Sequence, residues 1–146
     1  IFPGKYTYTL DKIEDIVQHA LEDLDPNFAS KVQRGDIIVA GKNFGNGSSR
    51  EQAVTCIKAS GITAVIATSF SRIWYRNAIN NGLPAIICPE AVLNATHGQK
   101  GKIDIDNQTV YIDEKSYNFS KYSTTSIEIL RHGTLIEYVR NKLKNN

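Results

Sequence analysis

The residues with the clearest chemical potential lie in a glycine-rich segment at residues 41–51, with the sequence GKNFGNGSSRE. Glycines let the backbone approach a ligand closely. Backbone N–H groups and the helix dipole at the start of a following helix favour an anion there. Arg50 adds a planar guanidinium suited to a carboxylate, and the hydroxyls of Ser48 and Ser49 can donate or accept hydrogen bonds. The segment therefore predicts an anion-binding loop.

The spacing within this segment excludes several common motifs and narrows the choice of anion. No GxxxxGK[ST] phosphate loop occurs, and Arg50 stands where a GxGxxG dinucleotide motif needs its last glycine. The GxSxG hydrolase motif is also absent from the segment. Carboxylate binding is thus at least as well supported as phosphate binding. Spacing alone leaves open a plainer alternative, in which Ser48 caps a helix and Arg50 is a surface charge. The predicted loop backbone comprises Gly45, Asn46 and Gly47.

The elements around this loop predict an α/β fold. The pattern predicts helices at 10–23, 49–60, 70–81 and 127–144, strands at 36–40, 63–67 and 85–88, and a hairpin of 102–106 and 109–113 joined by Asn107-Gln108. Strands that alternate with helices through short links favour a parallel sheet. Ligands bind beyond the carboxyl ends of such strands, where the glycine-rich loop would lie. We therefore expect one α/β domain over residues 1–146, with a parallel core of buried strands, flanking helices and a β-hairpin.

Composition excludes several classes of protein. The chain has 146 residues, 41% of them hydrophobic, and a net charge of +2, which provides no clustered basic surface for nucleic acid. No apolar run reaches the ~18–20 residues of a membrane span. Cys56 and Cys88 form no CxxC pair and are interpreted as core thiols of a cytoplasmic protein. We expect neither nucleic acid nor membrane as a partner.

Two long segments carry a resemblance to a known family. NFGNGSSREQA at 43–53 and AVIATSFSRIWYRNAINNGLP at 64–84 closely resemble the small, swivelling-domain subunits of the isopropylmalate isomerase and homoaconitase group of the aconitase superfamily. The likeness runs from IFPGKY at the start to GTLIEY at 133–138. It implies an aconitase-type swivelling β/β/α domain. Family members place a strand and a Thr-Asp pair before the segment that begins here at Ile1, so we expect the N-terminal strand to be missing.

The resemblance also implies a reaction and a division of labour between subunits. The active site of this family holds a [4Fe-4S] cluster that belongs to a separate large subunit, so this chain is expected to ligate no metal. The reaction implied is dehydration and rehydration of a hydroxy-dicarboxylate, which moves the hydroxyl to the neighbouring carbon. Ser48 matches the catalytic base, and Ser49 and Arg50 match residues that hold substrate carboxylates. Asn46 departs from the small residue or cysteine of many relatives.

The segment near the start of the chain is expected to set substrate preference. By resemblance, the candidate substrate contacts are Tyr6, Thr7, Tyr8 and Thr9. An arginine here would suit the extra carboxylate of a homoaconitase substrate, but no arginine precedes Arg34 and Lys5 is the only nearby cation. The neutral segment favours isopropylmalate and leucine biosynthesis. Thr9 as a plain helix cap remains an equal alternative.

Two further readings of the function stay open at this stage. One is the small subunit of homoaconitase or of a related hydroxyacid dehydratase, and the other is a non-catalytic anion-binding module. Self-association is also left open. Among the remaining residues, His19, His97 and His132 are predicted to face solvent, because none pairs with a nucleophile or metal ligand along the sequence.

Overall fold

The computed structural model describes residues 1–47 and 50–146, and Ser48 and Ser49 lie outside these described residues. A 3₁₀ turn at Gly4–Tyr6 precedes the first helix. The helices are α1 (Ile13–Gln18), α2 (Phe28–Lys31), α3 (Gln52–Ala59), α4 (Arg72–Asn80), α5 (Pro89–Asn94), α6 (Thr124–His132) and α7 (Leu135–Lys144). The strands are β1 (Ile37–Ala40), β2 (Ala64–Ala67), β3 (Ala85–Ile87), β4 (Gly101–Asp104), β5 (Thr109–Ile112) and β6 (Lys115–Asn118).

A parallel sheet with the order β1-β2-β3 forms the centre of the fold. Val65 of β2 lies between Ile38 of β1 and Ala85 of β3 in the register. All four residues of β2 are buried, as expected of a central strand. The predicted parallel core is confirmed. The prediction that β1 is buried is wrong, because β1 is an edge strand and Val39 is 41% exposed.

Glycines end the two helices that follow the first two strands. Gly61, with φ of +98°, follows α3, and Gly82, with φ of +75°, follows α4. These are the helix ends that the sequence predicts. The predicted start of α4 at residue 70 is wrong, because the backbone there pairs with the glycine-rich loop. Phe44 donates to the carbonyl of Ser69, and Ser71 donates to the carbonyl of Phe44.

The second sheet is antiparallel, with the order β4-β5-β6. The hairpin of β4 and β5 is confirmed, but its connection is longer than Asn107-Gln108, since Asp104 pairs with Thr109. The side chain of Asp104 accepts a hydrogen bond from the Asn107 amide at 3.0 Å, which builds a wider turn. Strand β6 was not predicted. Val110 and Ile112 of β5 are buried and join the core of the parallel sheet.

The predicted helix at 10–23 is shorter in the structure, where α1 ends at Gln18. Leu21 adopts a φ of +53°, and its amide donates to the carbonyl of Ile1 at 2.7 Å. That tertiary hydrogen bond replaces a helical one. Thr9 does not cap the helix, because its hydroxyl donates to the carbonyl of Tyr6 at 3.3 Å. Contacts with the start of the chain therefore override the helical pattern.

The predicted C-terminal helix is two helices in the structure. Gly133, with φ of +101°, ends α6, and the Thr134 hydroxyl accepts a hydrogen bond from the Glu137 amide at the start of α7. The hydroxyl of Thr134 thus begins a new helix directly after the break. Helix α5, which Pro89 opens at its first turn, was not predicted. Within the described part of the chain, no helix is long and apolar enough to cross a membrane.

Both cysteines lie in the apolar core, as predicted. Cys56 and Cys88 are buried and carry free thiols. Burial raises the pKa of the Cys56 thiol to about 12, and burial also raises the pKa of Cys88. Because the reactive form of a cysteine is the thiolate, both side chains are expected to behave as small hydrophobic groups.

We expect neither thiol to react with a thiol reagent in the native protein at pH 8, since both are buried and protonated. Labelling with Ellman's reagent measures this directly. Unfolding in guanidinium provides the control and should release both thiols of the chain. Rapid labelling of either thiol before unfolding would contradict the placement of the two cysteines in the core.

Candidate functional site

The glycine-rich loop leaves the carboxyl end of β1 and is hydrogen-bonded to the segment that leaves the carboxyl end of β2. The amide of Thr68 donates to the carbonyl of Gly41 at 3.1 Å. Further along, the amide of Asn43 donates to the Ser69 hydroxyl at 2.8 Å. Phe44 and Phe70 then form a parallel bridge. These contacts extend the parallel pairing beyond the strands and hold the base of the loop.

Trp74 of α4 lies directly beneath this base and is completely buried. Its ring stacks on Phe70 at 5.6 Å between centroids and meets Phe44 edge-on at 4.9 Å. Its indole N–H donates to the carbonyl of Ala53 in α3 at 3.2 Å. Trp74 therefore connects the loop after β1, the segment after β2 and the helix that follows the loop. The structure thus places Trp74 in the core.

Gly45 is the point at which the loop contacts Trp74. It is buried, has a φ of +87°, and a Cβ atom at this position would collide with the indole. Its carbonyl accepts a hydrogen bond from the Ser71 hydroxyl at 3.0 Å. Asn46 and Gly47 are exposed beyond it, and Gly47 has a φ of +78° with open space around its Cα. Gly45 thus anchors the loop, and the next two residues form its exposed surface.

Arg50 follows the loop and contacts the start of the chain. Its Nη1 atom donates to Oγ1 of Thr7 at 2.6 Å, and its guanidinium carbon lies 5.5 Å from the centroid of the Tyr8 ring. Gln52 donates from Nε2 to the carbonyl of Thr7 at 3.2 Å. Arg50 is exposed, and Tyr8 is 87% exposed. The structure therefore brings together three predicted substrate contacts from two distant parts of the sequence.

The other two predicted contacts of this segment are engaged differently. The phenol hydroxyl of Tyr6 donates to Oε1 of Glu22 at 3.2 Å, and the ring of Tyr6 stacks on His19 at 3.8 Å. Thr9 donates its hydroxyl back to the carbonyl of Tyr6. Tyr6 and Thr9 thus hold the segment in shape, while Thr7 and Tyr8 meet Arg50.

His19 and Glu22 were not identified from the sequence as part of this region. The prediction that His19 faces solvent is wrong, because its side chain is only 27% exposed beneath Tyr6. His132 is likewise half-buried, with its ring 5.6 Å from that of Tyr138, whereas His97 is exposed. The spacing of His19 and Glu22 permits their mutual contact, but no sequence pattern indicates that both would reach Tyr6.

Ser48 and Ser49, the predicted base and carboxylate contact, lie outside the described residues. They follow Gly47 and precede Arg50, so the described chain on either side belongs to the exposed end of the loop. Among residues 1–47 and 50–146, no group of three or more His, Cys, Asp or Glu side chains is arranged to hold a metal ion.

A family model described as the aconitase C-terminal domain matches residues 4–91, which include the loop, Arg50 and Trp74. The chain belongs to this family. The resemblance drawn from the GSSRE segment is therefore confirmed. The matched range also contains the N-terminal turn that contacts Arg50, and it ends just after β3.

Relatives extend the similarity over almost the whole chain. A protein of Hydrogenobaculum sp. named 3-isopropylmalate dehydratase small subunit is 47% identical over 148 residues, covering 99% of this chain and 89% of its own length. A protein of the same name from Halothermothrix orenii is 44% identical and is covered over 88% of its length. The words "small subunit" in these names imply a larger partner subunit for those proteins.

A solved structure confirms the fold class. The crystal structure of 3-isopropylmalate dehydratase (LeuD) from Methanocaldococcus jannaschii is similar with a TM-score of 0.90 and 42% sequence identity. The similarity covers 97% of this chain and 84% of the other. The predicted α/β architecture with a parallel core, flanking helices and a hairpin is therefore confirmed.

We expect Gly45→Ala to destabilise the protein by about 2–5 kcal/mol, because it combines a left-handed backbone with a collision against Trp74. Gly47→Ala is the matched control, with the same backbone strain but open space, and should cost about 1–2 kcal/mol. Urea unfolding followed by Trp74 fluorescence measures both. Equal losses in the two variants would contradict the anchoring contact.

Proposed function

We propose that this chain is the small subunit of 3-isopropylmalate dehydratase, a hydro-lyase of leucine biosynthesis. The enzyme interconverts 2-isopropylmalate and 3-isopropylmalate by dehydration and rehydration. The observation that carries the proposal is the placement of Arg50 against Thr7 and Tyr8, in a chain that matches proteins of this name almost from end to end. A guanidinium presented at an exposed surface suits a dicarboxylate substrate.

Arg50 binds a substrate carboxylate in this proposal. A guanidinium carries five N–H donors in a fixed fork, and Thr7 accepts from one of its terminal nitrogens. The fork therefore retains donors for a carboxylate that approaches from the exposed side. The Tyr8 ring, 5.5 Å from the guanidinium carbon, stabilises the cation from its face. Ser49 and the exposed backbone of Gly47 contribute further donors to the same anion in this proposal, whereas Gly45 is buried and the Asn46 amide already donates to the carbonyl of Asn43 at 3.0 Å.

Ser48 is the proposed catalytic base, which removes a proton from the carbon beside a substrate carboxylate. A serine hydroxyl is a weak base at neutral pH and needs surrounding donors that stabilise its deprotonated form. The glycine-rich backbone before it and Arg50, two residues after it, are suited to supply them. Its place in the sequence, between the exposed Gly47 and Arg50, supports this role.

The [4Fe-4S] cluster of the reaction belongs, in this proposal, to a large partner subunit. When bound, the cluster supplies a Lewis acid for the departing hydroxyl. The donor set of the described residues does not fit a cluster, since Cys56 and Cys88 are buried and burial raises the pKa of both thiols. We further propose that residues 1–146 act as one swivelling domain over that site, in the cytoplasm, where buried free thiols stay reduced.

The proposal is tested by mixing the full-length chain anaerobically with its cluster-reconstituted large subunit. Formation of the unsaturated intermediate is followed by ultraviolet absorbance, with isopropylmalate, homoisocitrate and isocitrate supplied separately. Turnover of isopropylmalate alone is the expected result. Turnover of the tricarboxylates would overturn the proposed substrate, and silence from an assembled complex would favour a non-catalytic binding module.

Ser48→Ala should lower kcat in this assay by about 10²–10⁴-fold, because it removes the base that takes the substrate proton. KM and the thermal midpoint should change little, since the alanine leaves the carboxylate contacts in place. Ser116→Ala is the control, because Ser116 is an exposed serine on β6. Retention of most of the turnover in Ser48→Ala would show that another group is the base.

Tyr8→Arg should shift preference toward substrates with an additional carboxylate. The new guanidinium pairs with that carboxylate at the cost of repulsion from Arg50, and we expect the ratio of kcat/KM for homoisocitrate over isopropylmalate to rise about tenfold. Tyr8→Phe is the matched control, which keeps a ring beside Arg50 and should leave the ratio unchanged. An unchanged ratio in Tyr8→Arg would locate substrate selection elsewhere.

A further inference from the structure

The carboxylate of Glu22 contacts three side chains, two from the start of the chain and one from the residue that follows α1. His19 donates from Nδ1 to Oε2, and the hydroxyl of Tyr6 donates to Oε1 at 3.2 Å. The ammonium of Lys5 lies 3.4 Å from Oε1. The Glu22 side chain is only 25% exposed, so these contacts form at a partly shielded position.

The ring of Tyr6 is held by the same group of residues. It stacks on the imidazole of His19 with an interplanar angle of 28°, and the Lys5 ammonium lies 4.8 Å from its centroid. The hydroxyl of Tyr6 and the ammonium of Lys5 therefore contact Glu22 directly, and the ring of Tyr6 is connected to Glu22 through His19. The Gly4–Tyr6 turn has no side-chain cap of its own. Together with the hydrogen bond from the Leu21 amide to the Ile1 carbonyl, these contacts orient the turn relative to α1.

The Gly4–Tyr6 turn also positions Thr7, and Thr7 in its place holds the Arg50 side chain. The amide of Thr7 donates to the carbonyl of Gly4 at 3.2 Å, so Thr7 closes the turn. Its hydroxyl oxygen then accepts the 2.6 Å hydrogen bond from Arg50, and its carbonyl accepts from Gln52. A continuous series of contacts therefore runs from Glu22 to the guanidinium.

We propose that Glu22 is a positioning residue, which fixes the Gly4–Tyr6 turn so that Thr7 holds the Arg50 guanidinium ready for a substrate carboxylate. The role of Arg50 in this inference rests on the proposed function. The contacts that connect Glu22 to Arg50 are observed in the structure and do not depend on that function. It adds a residue that touches neither substrate nor cluster to the set that determines substrate binding. Glu22 acts through Tyr6 and Thr7.

The charge state of Glu22 suits this role. The hydrogen bond from His19, aided by Lys5 and Tyr6, lowers the pKa of the carboxyl below its ordinary value of 4.5. Glu22 is therefore ionised at neutral pH. Its amide analogue keeps the shape and one acceptor oxygen but loses the charge that attracts Lys5 and His19.

Kinetics of the complex with the large subunit provide the first test. Glu22→Gln should raise KM for isopropylmalate about tenfold while kcat falls by less than about threefold, because only the hold on Arg50 is loosened. Glu22→Asp keeps the negative charge on a side chain that is one methylene shorter, so its KM should lie between the values for the wild type and Glu22→Gln. Asp25→Asn is the matched control, since the Asp25 carboxylate pairs with Lys31 and accepts from the Asn27 amide rather than contacting the turn, and it should behave as wild type.

A double-mutant cycle separates positioning from general stability. Thr7→Val removes the hydroxyl that accepts from Arg50 and should raise KM by itself. If Glu22 acts through Thr7, the double variant should be no worse than the weaker-binding single variant. Multiplicative effects on KM, or a loss of kcat and thermal midpoint without a rise in KM, would overturn the inference.

A second readout does not depend on activity. Modification of Arg50 by phenylglyoxal, followed by mass spectrometry on the full chain, should become at least about threefold faster in Glu22→Gln and in Thr7→Val. The exposed Arg72 serves as the internal reference and should not change. An unchanged Arg50 rate would overturn the inference. An inactive wild-type complex with a faster Arg50 rate in Glu22→Gln would instead retain the link from Glu22 to Arg50 and reject the proposed function.

Discussion

The contact between Gly45 and the indole of Trp74 is the constraint on which the rest of the site depends. The indole is completely buried and hydrogen-bonded to the carbonyl of Ala53 in α3, so it fixes the start of the helix that follows the loop. It accepts the loop backbone only because residue 45 lacks a Cβ. The contact therefore fixes the path of the loop where it leaves the sheet. Beyond that point, Gly47 and Arg50 are exposed.

A second connection orients the far side of the loop. Arg50 is tied to Thr7, and the turn that carries Thr7 is tied to Glu22. The two connections differ in kind. The first is apolar, buried and close-packed, whereas the second consists of hydrogen bonds and charges at a partly exposed surface, where water competes and a ligand can replace a partner. A rigid base and an exchangeable outer contact suit the role proposed for Arg50, which is to bind a substrate carboxylate and release it again.

The ends of the helices and the exposure of strand β1 show which features of the fold the sequence predicts and which it does not. The ends of α3 and α4 were predicted because a glycine, Gly61 or Gly82, follows each helical pattern. A glycine readily adopts the positive φ that ends a helix, and this preference is a local property of the residue. The end of α1 was not predicted, because Leu21 leaves the helix to donate to Ile1, twenty positions away along the chain. The exposure of Val39 escaped prediction for a similar reason, since an apolar run does not reveal whether its strand is central or at the edge of the sheet.

For the site, the sequence alone determined the residue types of the loop, the prediction that the loop binds an anion, and the resemblance to the family to which the chain belongs. Those properties reside in the order and chemistry of consecutive residues. Only the tertiary structure decided that Arg50 meets Thr7 and Tyr8, and that His19 lies beneath Tyr6 rather than in solvent. Contacts between segments separated by tens of residues depend on how the packed elements face one another, and no local pattern of residues encodes that geometry.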